Sequence, residues 1–483
     1  MELKKLVKDI VIDTTTLPSL DVKDICSHSS NVTDGSLFVA IYGEEADGHD
    51  FIPQAIENGA AVVITNGREM GQLSVPNIQV ANPRLAASRV SAEYYSHPTK
   101  KLTVIGITGT NGKTTTASIL QKILCAAGIQ SAQLGTLGII AEGFTPEKSL
   151  TTPDSITLQK IFRELVNKGF THVVMEVSSH ALDQLRVADV EFNLGVFTNL
   201  SREHLDYHKT MDEYFHAKAK LFKSLPITGT AIINHDDGVG KAMANESQAP
   251  VVSISKNGST DIHYSELTQD LGGIRGAIQA GDLKISISSQ LVGDFNVENI
   301  ICAVSAAISL GINPKLIEVG VSDCKTIPGR MEVISLQNEA TVIVDYAHTP
   351  DAYEKVLITI ASMKNSNGRI NILFGCGGDR DATKRPEMGR IAEKYGDQLY
   401  ITPDNPRTED LVDINAQICD GLSENKYQIY EDRAIGLTEA ILELKAGDIL
   451  VVLGKGRENY QEVMGEKLHH SDLEIIESFI NAD

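Results

Sequence analysis

Apolar positions along this chain fall into two alternating rhythms. Short apolar runs read as buried strands, and apolar residues three and four apart read as helices. The clearest pair lies in Leu102–Gly128. Leu102, Val104, Ile105 and Ile107 form a strand-length run. Ile119, Leu120, Ile123 and Leu124 then recur at helical spacing, and Gly128 follows as a C-cap.

The same alternation organises three stretches. In residues 1–98, SLFVAI (36–41) and AAVVIT (60–65) read as strands around a helix at 52–59. His97-Pro98 and Lys100-Lys101 mark the exit. In residues 99–330, strand-like runs lie at 172–179, 192–201 and 230–237, with helices such as 155–169 between them. Residues 284–296 alternate more strictly and suggest an antiparallel edge. A helix then runs through Ala303, Ala306, Ala307 and Leu310 to Gly311. In residues 331–483, strands are expected at 341–348, 370–375, 398–404 and 448–454, with helices at 350–363 and 433–444. Alternating strands and helices imply parallel, doubly wound sheets. The fold class is therefore α/β in three domains: an N-terminal α/β domain, a central P-loop-type doubly wound sheet, and a C-terminal Rossmann-like domain. A length of 483 residues agrees with that count. The glycines of the third stretch do not spell G-x-G-x-x-G, so no dinucleotide site is expected there.

Composition narrows the function classes. Hydrophobic residues make up 42% and charged residues 22%, enough to bury real cores. The net charge of −21 argues against a nucleic-acid or anionic-membrane surface. Anionic ligands must then be held by local basic clusters. The start MELKKLVKDI lacks the apolar core of a signal peptide, and no apolar run reaches membrane-spanning length. Six scattered cysteines without a C-x-x-C pair fit a reducing cytoplasm.

Candidate chemistry starts between the strand and helix of Leu102–Gly128. There stand Gly109, Thr110, Asn111, Gly112, Lys113, Thr114 and Thr115. Glycines let backbone N–H groups approach phosphate oxygens, and a helix N-terminus adds partial positive charge. Lys113 supplies a mobile charge, and Thr114 can ligate Mg²⁺. The loop departs from G-x-x-x-x-G-K-[ST], because Ile107 stands where a glycine is required. Read by itself it is either a variant phosphate loop or an ordinary strand–helix turn.

Glu176 ends a strand of the same sheet and suits Mg²⁺, or else a strand-end hydrogen bond. Taken alone, His204 reads as a structural or surface histidine, and Lys218 as a solvated or ion-paired helix residue. Four strand ends of the third stretch carry charged turns: Asp345 and His348, Gly377 to Arg385, Asp404-Asn405-Pro406-Arg407, and Gly454 to Glu458. Together they suggest a pocket for a small, doubly charged ligand, in which arginines can grip carboxylates in bidentate fashion.

The motifs ITGTNGKTTT, MEVSSHALDQLRV, TNLSREHLDYH, GDFNVENIICA, PGRMEV, VDYAHTPDA, FGCGGDRDATKRP and DNPRTED occur in this order over nearly the whole chain. In this the chain resembles the Mur ligase family, the ATP-dependent amide-bond ligases of peptidoglycan synthesis. The resemblance implies ATP, Mg²⁺ (two ions) and a CO₂-derived carbamate on Lys218. It gives Lys113, Glu176, His204 and Lys218 catalytic roles. Thr114, Glu176, His204 and carbamylated Lys218 would hold metal. The Gly109–Thr115 loop, Asn296, Asn299, Arg330 and Asp345 would bind ATP. Ser29, Ser30, Glu44, Glu45, Ala46, Asp47, Thr151, Thr152, Ser178, Gln184 and Arg186 would bind the UDP-muramoyl dipeptide. Arg385, Asp404, Asn405, Pro406, Arg407, Gly454 and Glu458 would bind the incoming amino acid. Asp404-Asn405-Pro406-Arg407 resembles the form that accepts meso-2,6-diaminopimelate, whose distal carboxylate Arg407 can pair.

Two departures stand out. The usual Asp-Ser-Arg is His28-Ser29-Ser30, and Gly-Lys-Gly-His-Glu is Gly-Lys-Gly-Arg-Glu, with Arg457 adding positive charge near the pocket. The implied enzyme is a cytoplasmic monomer acting on small molecules, the UDP-muramoyl dipeptide and diaminopimelate, without nucleic-acid or membrane partners. The alternatives are a lysine-adding or folate-type polyglutamate ligase, a phosphate-loop switch or transport component, and a binding protein that has lost catalysis. Arg407 argues against lysine. The first-domain UDP pattern argues against folate. The third-stretch motifs argue against a switch, and retention of Lys113, Glu176, His204 and Lys218 argues against lost catalysis.

Overall fold

The computed structural model describes all residues except 12–16, 44–45, 146–149, 271, 365–367, 424–425 and 481–483. Three main sheets follow one another along the chain. The first is four-stranded and parallel, in the order Asp24–Cys26, Ser36–Val39, Ala60–Thr65 and Asn77–Gln79. Its strands are apolar on both faces. Leu37, Val39, Val62 and Ile64 face one core, and Phe38 and Val63 face another. That is why they read as continuous runs rather than as alternations.

The central sheet has ten strands. Thr103–Thr108 lies in its middle, between Leu194–Phe197 and His172–Glu176, and pairs in parallel with both. Burial of both faces selects Val104, Ile105 and Ile107 there, all fully buried. The helix Lys113–Ala126 packs over the sheet beneath Asp294–Ser309 and Pro314–Asp323. Gly320 lets the last of these come close, since a Cβ there would lie 2.3 Å from the Ile123 Cα. One end of the sheet is an antiparallel meander, Ile262–Asp270, Gly273–Ala280 and Leu283–Ser289. The alternating run at 284–296 is its outermost strand up to Ser289, and its last residues already open the helix from Asp294.

The third sheet has six strands. Thr341–Asp345, Ile449–Leu453, Ile370–Phe374, Gln398–Ile401 and Tyr427–Ile429 run parallel, and Glu332–Ser335 is an antiparallel edge. Expected helices appear as Pro350–Met363 and Arg433–Leu442. A hairpin, Tyr460–Val463 with Glu466–His469, stands apart from the sheet.

Inside this unit lies a buried ion pair. Arg433 donates Nε to Asp472 Oδ1 at 2.9 Å and Nη2 to Asp472 Oδ2 at 2.8 Å. It also reaches Thr402 Oγ1 at 3.2 Å and the Leu453 carbonyl at 3.0 Å, tying two strand ends to the C-terminal helix Asp472–Ile480. Burial opposes ionisation of Asp472, but Arg433 and His470 outweigh it and hold the carboxyl well below its ordinary range. Removing one partner leaves a buried charge unpaired. Asp472→Ala is therefore expected to destabilise this unit by roughly 3–5 kcal/mol. The check is loss of hydrogen-exchange protection in Arg433–Leu442 and Asp472–Ile480. A carboxyl with a depressed pKa stabilises above its unfolded value, so wild-type protection there should decline as pH falls below about 4.

Candidate active site

The loop Gly109–Gly112 is shaped by backbone demands. Gly109 has φ +153°, and a Cβ there would lie 1.9 Å from Thr198 Oγ1. Gly112 has φ +86°, and its Cβ would meet Asn299 Oδ1 at 2.2 Å. Neighbouring strand ends then clamp the loop. Thr110 N donates to the Asn199 carbonyl and Asn111 N to Asn199 Oδ1, both at 2.9 Å. Thr198 Oγ1 donates to the Asn111 carbonyl at 2.7 Å. The Thr110 and Asn111 N–H groups thus serve the protein itself. Those of Gly112 to Thr115 belong to the first helical turn and bond no acceptor among the described residues, which leaves them for an anion.

Two lysines converge on this loop. Lys113 Nζ folds back onto the Gly109 and Thr110 carbonyls at 2.9 and 2.7 Å. Lys218, on the helix Met211–Lys223, is 1% exposed. Its Nζ donates to the same Gly109 carbonyl at 2.8 Å and lies 4.3 Å from the Tyr214 ring centroid. Desolvation lowers the pKa of both amines. The proximity of Lys113 lowers Lys218 further, while Glu203 opposes in both cases.

Glu176 is buried and its oxygens accept from Thr114 Oγ1 at 2.9 Å, Thr136 N at 2.9 Å and Thr136 Oγ1 at 3.1 Å. Gly135 makes room for it, because a Cβ there would fall 2.0 Å from Glu176 Oε1. The Thr114 hydroxyl and Glu176 carboxylate are hard oxygen donors side by side at the helix start, which fits Mg²⁺. Among the described residues no three His, Cys, Asp or Glu side chains cluster as a ready metal site. Lys218 is a buried amine in no ion pair among the described residues, and burial favours its neutral form.

His204 follows the strand Leu194–Phe197 in a left-handed conformation, φ +57°. Burial, reinforced by His180, Lys218 and Lys113, brings its pKa down to about 3 despite Glu203, so the imidazole is neutral. Glu203, which the sequence reading did not select, lies between these groups. Burial raises its pKa, but His204, His348 and Lys113 prevail and hold it far below the carboxylate range. His348 Nε2 stands 3.0 Å from Glu203 Oε1, joining the third unit to the second. Asn111 Nδ2 likewise donates to Asp351 Oδ2 at 3.0 Å, and Arg330 Nη2 to Thr114 Oγ1 at 3.3 Å. Arg330 also stacks on Tyr346, 4.7 Å from the ring centroid. Asp345 accepts Met331 N and Ala347 N, both at 2.7 Å. Asn296 and Asn299 are buried, joined by a 3.1 Å bond behind Gly112.

Two clefts open from this centre, and His204 lines both. The first, about 1280 Å³, is lined by Ser29, Ser30, Ala46, Thr151, Thr152, Ser178, Gln184 and Arg186. Glu44 and Glu45 lie outside the described residues. Asp47 does not line the cleft. It caps the turn Gly48–Phe51 and pairs with His49 and Arg68, each at 2.6 Å. Arg84 does line it, and its Nη2 holds the Tyr42 carbonyl at 2.8 Å. Nothing in the sequence marked Arg84, which sits at the start of the ordinary helix Pro83–Tyr94.

The second cleft, about 810 Å³, is lined by Asp404, Asn405, Arg407, Gly454 and Glu458 on one side and by Arg202, Glu203 and His204 on the other. Arg385 is not among its lining residues. It is fully buried, forked onto Glu409 at 2.8 and 2.9 Å, and bonded to Gln417 and the Gly377 carbonyl. Pro406 is buried beside them. Arg457 does not line the cleft either. It pairs with Glu332 at the start of the third sheet, Nε to Oε2 at 2.9 Å.

An anion-ready helix start, two lysines and two clefts that share His204, Asp206 and Arg380 suit a nucleotide-using enzyme assembled across three units. The sequence comparisons give the family. Residues 21–102 match the Mur ligase family catalytic domain, 107–307 the Mur ligase middle domain, and 329–456 the Mur ligase glutamate ligase domain. The chain is 40% identical over 477 residues to a UDP-N-acetylmuramoyl-L-alanyl-D-glutamate--2,6-diaminopimelate ligase of Geobacter metallireducens, covering 94% of this chain and 93% of that one. The ligase of the same name from Aquifex aeolicus is 41% identical over 463 residues, covering 96% and 94%. A solved structure of a ligase with this name superposes with TM-score 0.68 at 31% identity, covering 100% of this chain and 99% of that one. Mycobacterium tuberculosis folylpolyglutamate synthase complexed with ADP shares the fold, with TM-score 0.65 at 18% identity, over 77% of this chain and 92% of that one. The chain belongs to the Mur ligase family and is an ATP-dependent, amide-forming ligase.

Gly112→Ala tests the loop. It places a methyl group against Asn299 at a φ that side chains rarely adopt, so ATP-dependent turnover should fall by at least about tenfold. Circular dichroism of the variant should match wild type, because the demand is local.

Proposed function

We propose that this enzyme joins meso-2,6-diaminopimelate to the D-glutamate of UDP-N-acetylmuramoyl-L-alanyl-D-glutamate, in the cytoplasm and as a monomer. The observation that carries this reading is the pair of clefts that meet at His204 beside the lysine-bearing loop, with Arg407 in the second. The relatives named above carry the same activity in their names. Residues 1–98 and the adjoining face of 99–330 take the UDP-muramoyl dipeptide, 99–330 takes ATP, and 331–483 takes the amino acid.

Chemistry requires two anions, a carboxylate and a triphosphate, to meet. Lys113 leaves its loop carbonyls to reach the phosphates, and the N–H groups of Gly112 to Thr115 hold the oxygens. The γ-phosphoryl group passes to the D-glutamate side-chain carboxylate, giving ADP and an acyl phosphate. Diaminopimelate's amine attacks that carbonyl, inorganic phosphate leaves, and the amine loses a proton to form the amide. Thr114 and Glu176 would hold one Mg²⁺, and His204 with carbamylated Lys218 a second, supplying charge neutralisation. Asn296 and Asn299 lie behind the loop on the purine side, and Arg330 and Asp345 close it from the hinge. Arg407 pairs the distal carboxylate of diaminopimelate, where lysine would bring an ammonium.

One assay tests the reading: phosphate release with ATP, Mg²⁺ and the UDP-muramoyl dipeptide, supplied with diaminopimelate or lysine. Turnover with diaminopimelate alone is expected, and preference for lysine refutes the assignment. Arg407→Ala should raise KM for diaminopimelate at least about tenfold and leave KM for ATP unchanged. Lys218→Ala should nearly abolish ligation, with partial rescue by a short carboxylic acid; full activity without rescue would remove the metal-ligand role.

A further inference from the structure

The hairpin Tyr460–His469 is stitched to the turn that carries Asp404 to Arg407. Arg407 N donates to the Glu462 carbonyl at 2.9 Å, and Met464 N to the Arg407 carbonyl at 2.7 Å. Gln461 Nε2 reaches the Pro403 carbonyl at 3.1 Å, and Glu462 N reaches Asn405 Oδ1 at 2.9 Å. Two cleft-lining residues, Asn405 and Arg407, are thus both bonded to Glu462.

The side chain of Glu462 adds a separate contact. Its Oε2 accepts from Arg407 Nε at 3.1 Å. On the other flank, Arg407 Nη1 donates to the Gly378 carbonyl at 2.6 Å. A guanidinium can fork a carboxylate through Nε and Nη2, or end-on through Nη1 and Nη2. Glu462 occupies Nε and so closes the first mode. Among the described residues no acceptor bonds Nη2, so Nη2 and the second N–H of Nη1 are what Arg407 offers.

We propose that Glu462 is a positioning residue for amino-acid specificity, fixing which edge of Arg407 meets the ligand; this rests on Arg407 reading the distal carboxylate. The pairing has two consequences. It pre-orients a long, otherwise rotatable side chain, which lowers the ordering cost of binding. It also offsets the charge of Arg407 itself. Selectivity for a carboxylate then comes from hydrogen-bond geometry more than from a positive field.

The two consequences separate in two variants. The backbone stitching does not involve the side chain, so both variants keep the hairpin. Glu462→Ala removes the pin and should raise KM for diaminopimelate about tenfold, with kcat and KM for ATP unchanged. Glu462→Gln retains an acceptor for Nε but not the charge. It should keep KM for diaminopimelate within about twofold of wild type and lower any residual turnover of lysine. A Glu462→Ala enzyme with wild-type KM overturns the inference while the substrate reading stands. So does failure of glutamine to restore KM, or an equal rise in KM for ATP. Wild-type enzyme that ligates no diaminopimelate overturns both.

Discussion

Two lysine heads share one carbonyl oxygen in this enzyme, and much of the site follows from that crowding. Lys113 and Lys218 both donate to Gly109 O, at 2.9 and 2.8 Å. Like charges this close, out of water, disfavour each other's charged forms. The balance tips by burial: Lys218 is sealed behind the loop, whereas Lys113 is partly exposed. Desolvation and the neighbouring Lys113 both push Lys218 toward its neutral form, and desolvation pushes Lys113 the same way against Glu203 and Glu176. Residue 109 is a glycine because Thr198 stands where a side chain would go.

Charge also explains how the third unit docks. Glu203 takes its low pKa from groups in two units, His204 and Lys113 in one and His348 in the other. Asn111 of the phosphate loop bonds Asp351, and Ser201 Oγ bonds the same carboxylate at 3.2 Å. These polar contacts are each worth on the order of 1 kcal/mol, and Val292 and Phe295 add apolar packing against the core of the third unit. Such a junction holds an orientation without locking it, as a site that must admit three substrates and release products requires. Because the contacts touch the loop itself, the position of the third unit is coupled to what the loop holds.

Many of the parallel strands were legible because a strand buried on both faces is written as an unbroken apolar run, as in Val173-Val174-Met175 or Ile449–Leu453, but Ser131–Gly135 and Val251–Ser255 gave no such run because polar residues interrupt them. The meander strands Ile262–Asp270 and Gly273–Ala280 were not, since they mix polar positions such as Glu266, Gln269 and Arg275 with buried ones. Three-residue strands such as Asp24–Cys26 are too short for any period to register. At the site, the glycine loop and strand-end charges were visible, because turn chemistry is local. Glu203 was not, although it adjoins His204. Its importance comes from His348, distant in sequence. Arg84 gave no signal either. Only the fold brings the start of its helix to the cleft that Thr151 and Arg186 line.

Arginines of the third unit show the same limit most sharply. Counting positive residues near the strand ends predicts a strongly basic pocket. Folding pairs off several of them. Arg385 is forked by Glu409, Arg457 turns to Glu332, and Arg433 is sealed against Asp472. Arg407 also meets a carboxylate, but through Nε, which leaves its Nη2 unbonded among the described residues. A basic residue's role in such a cleft is therefore set less by its charge than by which of its N–H groups the protein leaves unsatisfied. That depends on partners such as Glu462, tens of residues away and on a hairpin outside the main sheet. On the proposed reading, substrate selection rests on the packing of loop against hairpin, and phosphoryl transfer on the strand–loop–helix of the central sheet.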